Sequence, residues 1–95
     1  MSEETVTRAA VVTGGSRGIG RAVCLALADQ GVNVVVNYAG SAAAAEETVS
    51  LCREKGVEAI AVQADVSDAA QVEALFAAAT DAWGRVDILV NNAGI

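Results

Sequence analysis

The sequence predicts an α/β fold, a doubly wound parallel sheet of four strands in the order 3-2-1-4 with three helices. Three observations predict it. Short β-branched runs alternate along the whole chain with longer Ala- and Leu-rich runs of helical period. Glycines stand at most of the changeovers, around Gly14–Gly20 and at Gly31, Gly56 and Gly84. The connections are short, and right-handed crossovers then put helices on both faces of one sheet. Proline is absent and no linker-like stretch interrupts the pattern, so one continuous domain is expected over residues 1–95.

Taken in order, residues 1–7 are polar and expected to fray. Ala9-Ala10-Val11-Val12-Thr13 reads as a strand buried on both faces. A helix follows from about Ile19 to Gln30, with Ile19, Ala22, Val23, Ala26 and Leu27 on the expected apolar face, and Gly31 stops it. Val32 to Val36 forms the second strand, ending at Asn37 and Tyr38. Ser41 is the expected cap of a helix from Ala42 to about Lys55. Glu46 and Glu47 near its start and Arg53 and Lys55 near its end suit the helix dipole. After Gly56, Val57 to Val62 is the third strand, leading into the loop Gln63-Ala64-Asp65-Val66. Ser67 or Asp68 caps a third helix whose stripe Val72, Leu75, Phe76, Ala79 and Trp83 is read as core. Gly84 ends it, and Val86 to Val90 is a fourth strand running into Asn91-Asn92-Ala93-Gly94-Ile95.

Composition removes several function classes. With 54% hydrophobic and 19% charged residues the chain can bury a core rather than stay disordered. A net charge of −6 argues against nucleic acid or an anionic membrane as partner, and is read as solvated helix faces. No apolar stretch reaches the length of a membrane span and no secretory signal is visible, so a cytoplasmic location is expected. There is no histidine, and Cys24 and Cys52 lie in helical patterns rather than at metal-binding spacing. No metal site is expected, and both cysteines are read as small buried hydrophobes.

The segment Thr13-Gly14-Gly15-Ser16-Arg17-Gly18-Ile19-Gly20 carries the chemistry. Glycines between a strand and a helix let a pyrophosphate approach the backbone, and the helix start offers unpaired N–H groups and its positive dipole end. The spacing, Gly14, Gly18 and Gly20, is G-x-x-x-G-x-G. This context predicts a dinucleotide site in a Rossmann-type sheet. Ligands in such sheets lie past the carboxyl ends of the strands, where the strand order reverses. The glycine loop, Asn37, Asp65 and Asn91-Asn92-Ala93-Gly94 all fall at that edge. An NAD site usually offers a carboxylate to the ribose about twenty residues beyond the first glycine. Here Asn37 stands at that place, with Tyr38 and Ala39 beside it. With no acid to repel a 2′-phosphate, and Arg17 able to supply a guanidinium, NADP(H) is expected over NAD(H).

Those residues resemble a known family. Thr13 to Gly20, Asp65-Val66 and Asn91-Asn92-Ala93-Gly94 are similar, in order and spacing, to the T-G-x-x-x-G-x-G, D-V and N-N-A-G motifs of short-chain dehydrogenases/reductases. Within that family the strings T-G-G-S-R-G-I-G and V-D-I-L-V-N-N-A-G-I are similar to bacterial 3-oxoacyl-[acyl-carrier-protein] reductases. The resemblance implies that Gly14, Ser16, Arg17, Gly18, Ile19 and Gly20 form the pyrophosphate and adenosine-phosphate loop. It implies that Asp65 accepts from the adenine amino group, with Val66 beside the ring. Asn91 is implied to support the central strands and the ribose, with Ala93 and Gly94 packed on the cofactor. The implied reaction is hydride transfer from NADPH to a 3-oxoacyl thioester of acyl-carrier protein in fatty-acid synthesis.

The same resemblance implies a catalytic Ser, a Tyr-x-x-x-Lys pair and a further Asn, all beyond the N-N-A-G motif. Tyr38 is followed four residues later by Ala42, and Lys55 is preceded by Leu51, so no such pair exists here. No catalytic residue is therefore assigned, and the chain alone is expected to be inactive, as an amino-terminal cofactor-binding part. Two alternatives stand beside this reading. One is a truncated or designed non-enzymatic unit that self-associates through the apolar edge Asp87-Ile88-Leu89-Val90. The other is the corresponding part of a sugar-alcohol or steroid reductase.

Overall fold

A computed structural model describes residues 6–92. The chain runs β1 (Ala9–Thr13), α1 (Gly18–Asp29), β2 (Asn33–Tyr38), α2 (Ala42–Glu54), β3 (Ala59–Gln63), α3 (Ala69–Trp83) and β4 (Ile88–Asn91). All three strand pairs are parallel and the order is β3-β2-β1-β4, as the alternation of periods predicts.

The two central strands are valine-rich because they are covered on both sides. Val12, Val34 and Val36 face α1 and α2 and pack with Cys24, Ala28, Ala45, Val49 and Cys52. Val11 and Val35 point the other way, onto Leu75 and Ala79 of α3. Local chemistry sets the helix ends. The Ser41 hydroxyl accepts from the Ala44 N–H at 3.3 Å, and the Asp68 carboxylate accepts from the Ala70 N–H at 2.9 Å, so Asp68 is the cap of α3. Gly84 closes α3 in the left-handed conformation, at φ 76°.

Three expectations about faces and charges need correction. The apolar face expected for α1 is only partly the buried one: Val23 and Leu27 pack against the core half-buried, but the fully buried residues are Gly20, Cys24 and Ala28, while Ala22 and Ala26 are exposed and Ile19 is 72% exposed. The first turns of the helix lie so close to the Gly14–Gly15 backbone that only small residues fit there, and that requirement overrides the larger side chains. Glu46 and Glu47 fall beyond the first turn of α2, where the dipole has faded; Glu47 instead pairs with Arg21 at 3.0 Å, and Lys55 pairs with Asp29 at 2.8 Å. On α3 Leu75 and Ala79 are fully buried and Phe76 and Trp83 pack against the same core half-buried, so only Val72, half-buried, falls short of the expected stripe. The Trp83 indole N–H reaches Glu58 at 3.0 Å, a polar tip that keeps the ring at the rim.

One carboxylate fastens β4 to β1. Asp87 accepts from the Ala9 N–H at 2.8 Å and from both ends of the Arg85 guanidinium at 2.7 and 2.6 Å, and its own N–H donates to Ala9 at 2.8 Å. The Arg85 and Ala9 hydrogen bonds hold its carboxyl at about 2, below the ordinary 3.8. A depressed folded-state value gives stability that is present above about pH 4 and is lost as pH falls through about 2. Asp87→Asn should therefore lower stability at pH 7 and flatten its acid dependence between those limits, as read by urea unfolding at a series of pH values. Parallel acid profiles for the two proteins would count against this account.

Candidate functional site

The glycine loop lies at the carboxyl edge of the sheet between β1 and α1, and its peptide groups are tied down one after another. The Gly14 N–H donates to the Asn37 side-chain oxygen at 3.1 Å, and the Gly15 N–H to the Asn37 carbonyl at 2.9 Å. The Gly14 carbonyl accepts from the Asn92 side chain at 3.1 Å. The Ser16 carbonyl accepts from Arg21 at 2.8 Å and from the Thr48 hydroxyl at 3.1 Å. The loop is thus held by β2, by the end of β4 and by α2 together.

Its glycines serve distinct ends. Gly14 and Gly18 hold φ of 64° and 62°, left-handed values that an L side chain rarely adopts. Gly20 is needed for space, because a Cβ there would lie 1.9 Å from the Gly14 carbonyl oxygen and 2.8 Å from the Asn92 side-chain nitrogen. Helix geometry leaves the N–H groups of Gly18, Ile19 and Gly20 without intrahelical partners, while the Arg21 N–H already bonds back to Arg17 at 3.3 Å. Arg17 and Ile19 are exposed beside them, and Ser16 is half-buried.

Asn37 is placed differently from a side chain that meets a ligand. It is 2% exposed, and its amide nitrogen donates to the carbonyls of Val62 at 3.3 Å and Ala64 at 3.2 Å while its oxygen holds Gly14. Its role is to link the loop to the end of β3. Tyr38, half-buried, and Ala39, exposed, are the next residues outward.

Asp65 is exposed at the same edge. One oxygen accepts from the Ser67 hydroxyl at 2.6 Å and the Ser67 N–H at 2.9 Å, and these bonds, the hydroxyl first, lower its pKa and keep it ionised. Its backbone N–H is held by Gln71 at 2.7 Å. Beside it a cleft of about 300 Å³ opens between α3 and the strands, lined by Val11, Thr13, Val66, Val72, Leu75, Phe76, Leu89 and Asn91. Of the residues singled out in the sequence, Val66 and Asn91 meet in this cleft, whereas the glycine loop and Asn37 stand outside its lining. Thr13 joins the cleft to the end of β4: its hydroxyl accepts from the Asn92 N–H at 2.9 Å and lies 3.2 Å from the Asn91 side-chain oxygen. Ala93 and Gly94 lie outside the described residues.

Cys24 and Cys52 are both free and fully buried, and burial pushes the Cys24 thiol up to about 12, so it is no nucleophile. Among the described residues no cluster of His, Cys, Asp and Glu could hold a metal ion, and no helix is long and apolar enough to cross a membrane. Sequence reasoning passed over Asn92, Arg21 and Thr48 as loop anchors. An arginine one residue past the last loop glycine and a threonine directly after the Glu46-Glu47 pair of α2 are the available signals.

A profile of the family described as short chain dehydrogenase matches residues 8–95. The chain belongs to the short-chain dehydrogenase/reductase family. It is 51% identical over 90 residues to the 3-oxoacyl-[acyl-carrier-protein] reductase FabG of Staphylococcus aureus, covering 95% of this chain and 37% of that protein. A 3-oxoacyl-[acyl-carrier-protein] reductase of Synechocystis is 55% identical over 86 residues, 90% of this chain and 35% of that one. The chain therefore spans little more than a third of the length of the curated relatives it matches. Among solved structures, a mutant of a Serratia marcescens short-chain dehydrogenase/reductase superposes with a TM-score of 0.89 at 42% identity, covering 95% of this chain and 37% of that one. A Burkholderia cenocepacia protein described as a dehydrogenase, solved with bound NADP, gives 0.84 at 36% identity, over 90% of this chain and 34% of that one. Fold and family thus agree with the motifs.

The space at position 20 is directly testable. Gly20→Ala should destabilise the chain by about 1–3 kcal/mol or more, because overpacking here drives a methyl group into backbone. Gly40→Ala, where a Cβ meets nothing within 4 Å, should leave stability nearly unchanged. Equal denaturation midpoints for the two variants would contradict the packing argument.

Proposed function

We propose that the chain is the NADP(H)-binding, amino-terminal part of a reductase acting on 3-oxoacyl thioesters of acyl-carrier protein. The observation that carries this reading is the anchored glycine loop with Arg17 exposed at its tip and no carboxylate at the end of β2. Gly14, Ser16, Arg17, Gly18, Ile19 and Gly20 take the phosphates, Arg17 meeting the 2′-phosphate by a charge-assisted bond. Asp65 accepts from the adenine amino group through the oxygen that Ser67 leaves free, and Val66 lies against the ring. Asn91 supports the central strands and the adenosine-side ribose, Ala93 and Gly94 pack against the cofactor, and Asn37 contributes through the loop it holds. NADPH, when bound, supplies the hydride; these residues only bind and orient it.

The support for acyl-carrier-protein thioesters, and through them for fatty-acid synthesis, comes from the relatives' names and from the motif strings. Titration of the chain with NADPH and NADH should show clear preference for NADPH, and Arg17→Ala should remove most of the difference. Equal affinities would sink the NADP(H) assignment. No turnover of an acetoacetyl thioester is expected from the 95 residues alone, since a tyrosine acid tuned by a nearby lysine is lacking. Measurable NADPH oxidation in that assay would contradict this part of the reading.

A second reading rests on the edge of the sheet. Leu89 on β4 is 52% exposed beside the apolar cleft, and an unpaired parallel edge of this kind favours pairing with another chain. Self-association through β4 is the expected outcome at high concentration. Sedimentation as a monomer across the accessible concentration range would exclude it, and Leu89→Lys should weaken any association observed.

A further inference from the structure

The junction between α1, α2 and the glycine loop carries an inference that rests on the NADP(H) reading. Arg21 extends from α1 with its side chain three-quarters buried. Its Nε donates to the Thr48 hydroxyl at 2.9 Å, and one terminal nitrogen donates to the carbonyls of Ser16 at 2.8 Å and Ala44 at 3.0 Å. That nitrogen also pairs with Glu47 at 3.0 Å. Thr48 is fully buried in α2, and its hydroxyl lies within hydrogen-bond reach of the Ser16 carbonyl at 3.1 Å and the Ala44 carbonyl at 3.3 Å.

A trans peptide is planar, with its C=O and N–H pointing in opposite directions. The Ser16 carbonyl is drawn inward by two donors, so the N–H of Arg17 in the same peptide is turned outward. The same guanidinium holds the first turn of α2 through Ala44. Two elements are thereby kept at fixed spacing: the Ser16–Arg17 tip and the start of α2 beyond Tyr38 and Ala39. These are the two sides between which a phosphate on the adenosine 2′-position would lie.

We propose that Arg21 and Thr48 are positioning residues that aim the Ser16–Arg17 peptide and set discrimination for the 2′-phosphate without touching the ligand. The junction acts on the phosphorylated ribose more than on the rest of the nucleotide, because Gly14 and Gly15 are anchored separately by Asn37 and Asn92.

The test is calorimetric titration of the full 95-residue chain with 2′,5′-ADP and with 5′-ADP. In Arg21→Met and Thr48→Val, affinity for 2′,5′-ADP should fall about tenfold, the loss expected for one well-formed bond to a charged group. Affinity for 5′-ADP should change by less than about threefold. Thr48→Ser, which restores the hydroxyl, should keep both affinities. Should Arg21→Met fail to fold, Thr48→Val decides, since it leaves the guanidinium's bonds to Ser16 and Ala44 in place. An unchanged ratio of the two affinities, or equal loss of both, overturns the proposal while leaving the nucleotide reading intact. Failure of the unaltered chain to bind either probe overturns that reading, and this inference with it.

Discussion

The contact between the first turn of α1 and the Gly14 carbonyl is the constraint from which the rest of the site follows. A Cβ at Gly20 would lie 1.9 Å from that oxygen, so the helix rests directly on the backbone of the loop that precedes it. Once the helix is this close, the residues continuing its inner face must also be small, and they are Cys24 and Ala28. The loop cannot then relax toward α1. It must be satisfied from its other sides, by Asn37 on β2 and Asn92 at the end of β4. A backbone segment whose inward groups are already paired presents its remaining N–H groups outward at little further entropic cost, which is what preorganised anion binding requires.

Topology makes this possible. The strand order reverses at β1, so β2 and β4 flank it on opposite sides and each can send an asparagine to the loop. Both ends of β4 are pinned for the purpose. Asp87 ties its start to Ala9, and the Thr13 hydroxyl receives the Asn92 N–H at its finish. The register that pairs Thr13 with Asn91 and Val12 with Val90 places Asn92 level with Gly14, and a slip of one residue would carry the amide out of reach. The strand is short and half-exposed, yet the loop depends on it.

Much of this was legible from residue order. The alternation of valine runs with alanine-rich runs, punctuated by glycine, gave the sheet, its order and the crevice edge, because period and punctuation are local signals. Ser41 and Gly84 were legible for the same reason. What was not legible depended on distances between elements. Ile19 stands exposed although its hydrophobicity points inward, because the position of the helix is fixed at Gly20 and not by side-chain size. Asn37 reads from its position as a neighbour of the ribose, but its amide turns inward to satisfy the carbonyls of Val62 and Ala64. Arg21 looks like one more surface charge on a helix until α2 is packed beside it.

The buried thiols show how closely fold and site are joined. Cys24 lies directly beneath the loop, where a Cβ on Gly15 would come within 3.0 Å of its sulfur. Burial holds that thiol protonated, so its contribution is volume rather than reactivity. The Cys52 thiol reaches toward the Cys24 carbonyl at 3.7 Å, joining α2 to the same helix. A larger residue at Cys24 would lift α1 from the sheet and carry Gly20 away from Gly14, whereas a smaller one would leave a void under the loop. The core residue beneath the loop and the glycine above it therefore answer to a single spacing, and the shape of the phosphate-facing backbone is set by how tightly the hydrophobic layer closes under it.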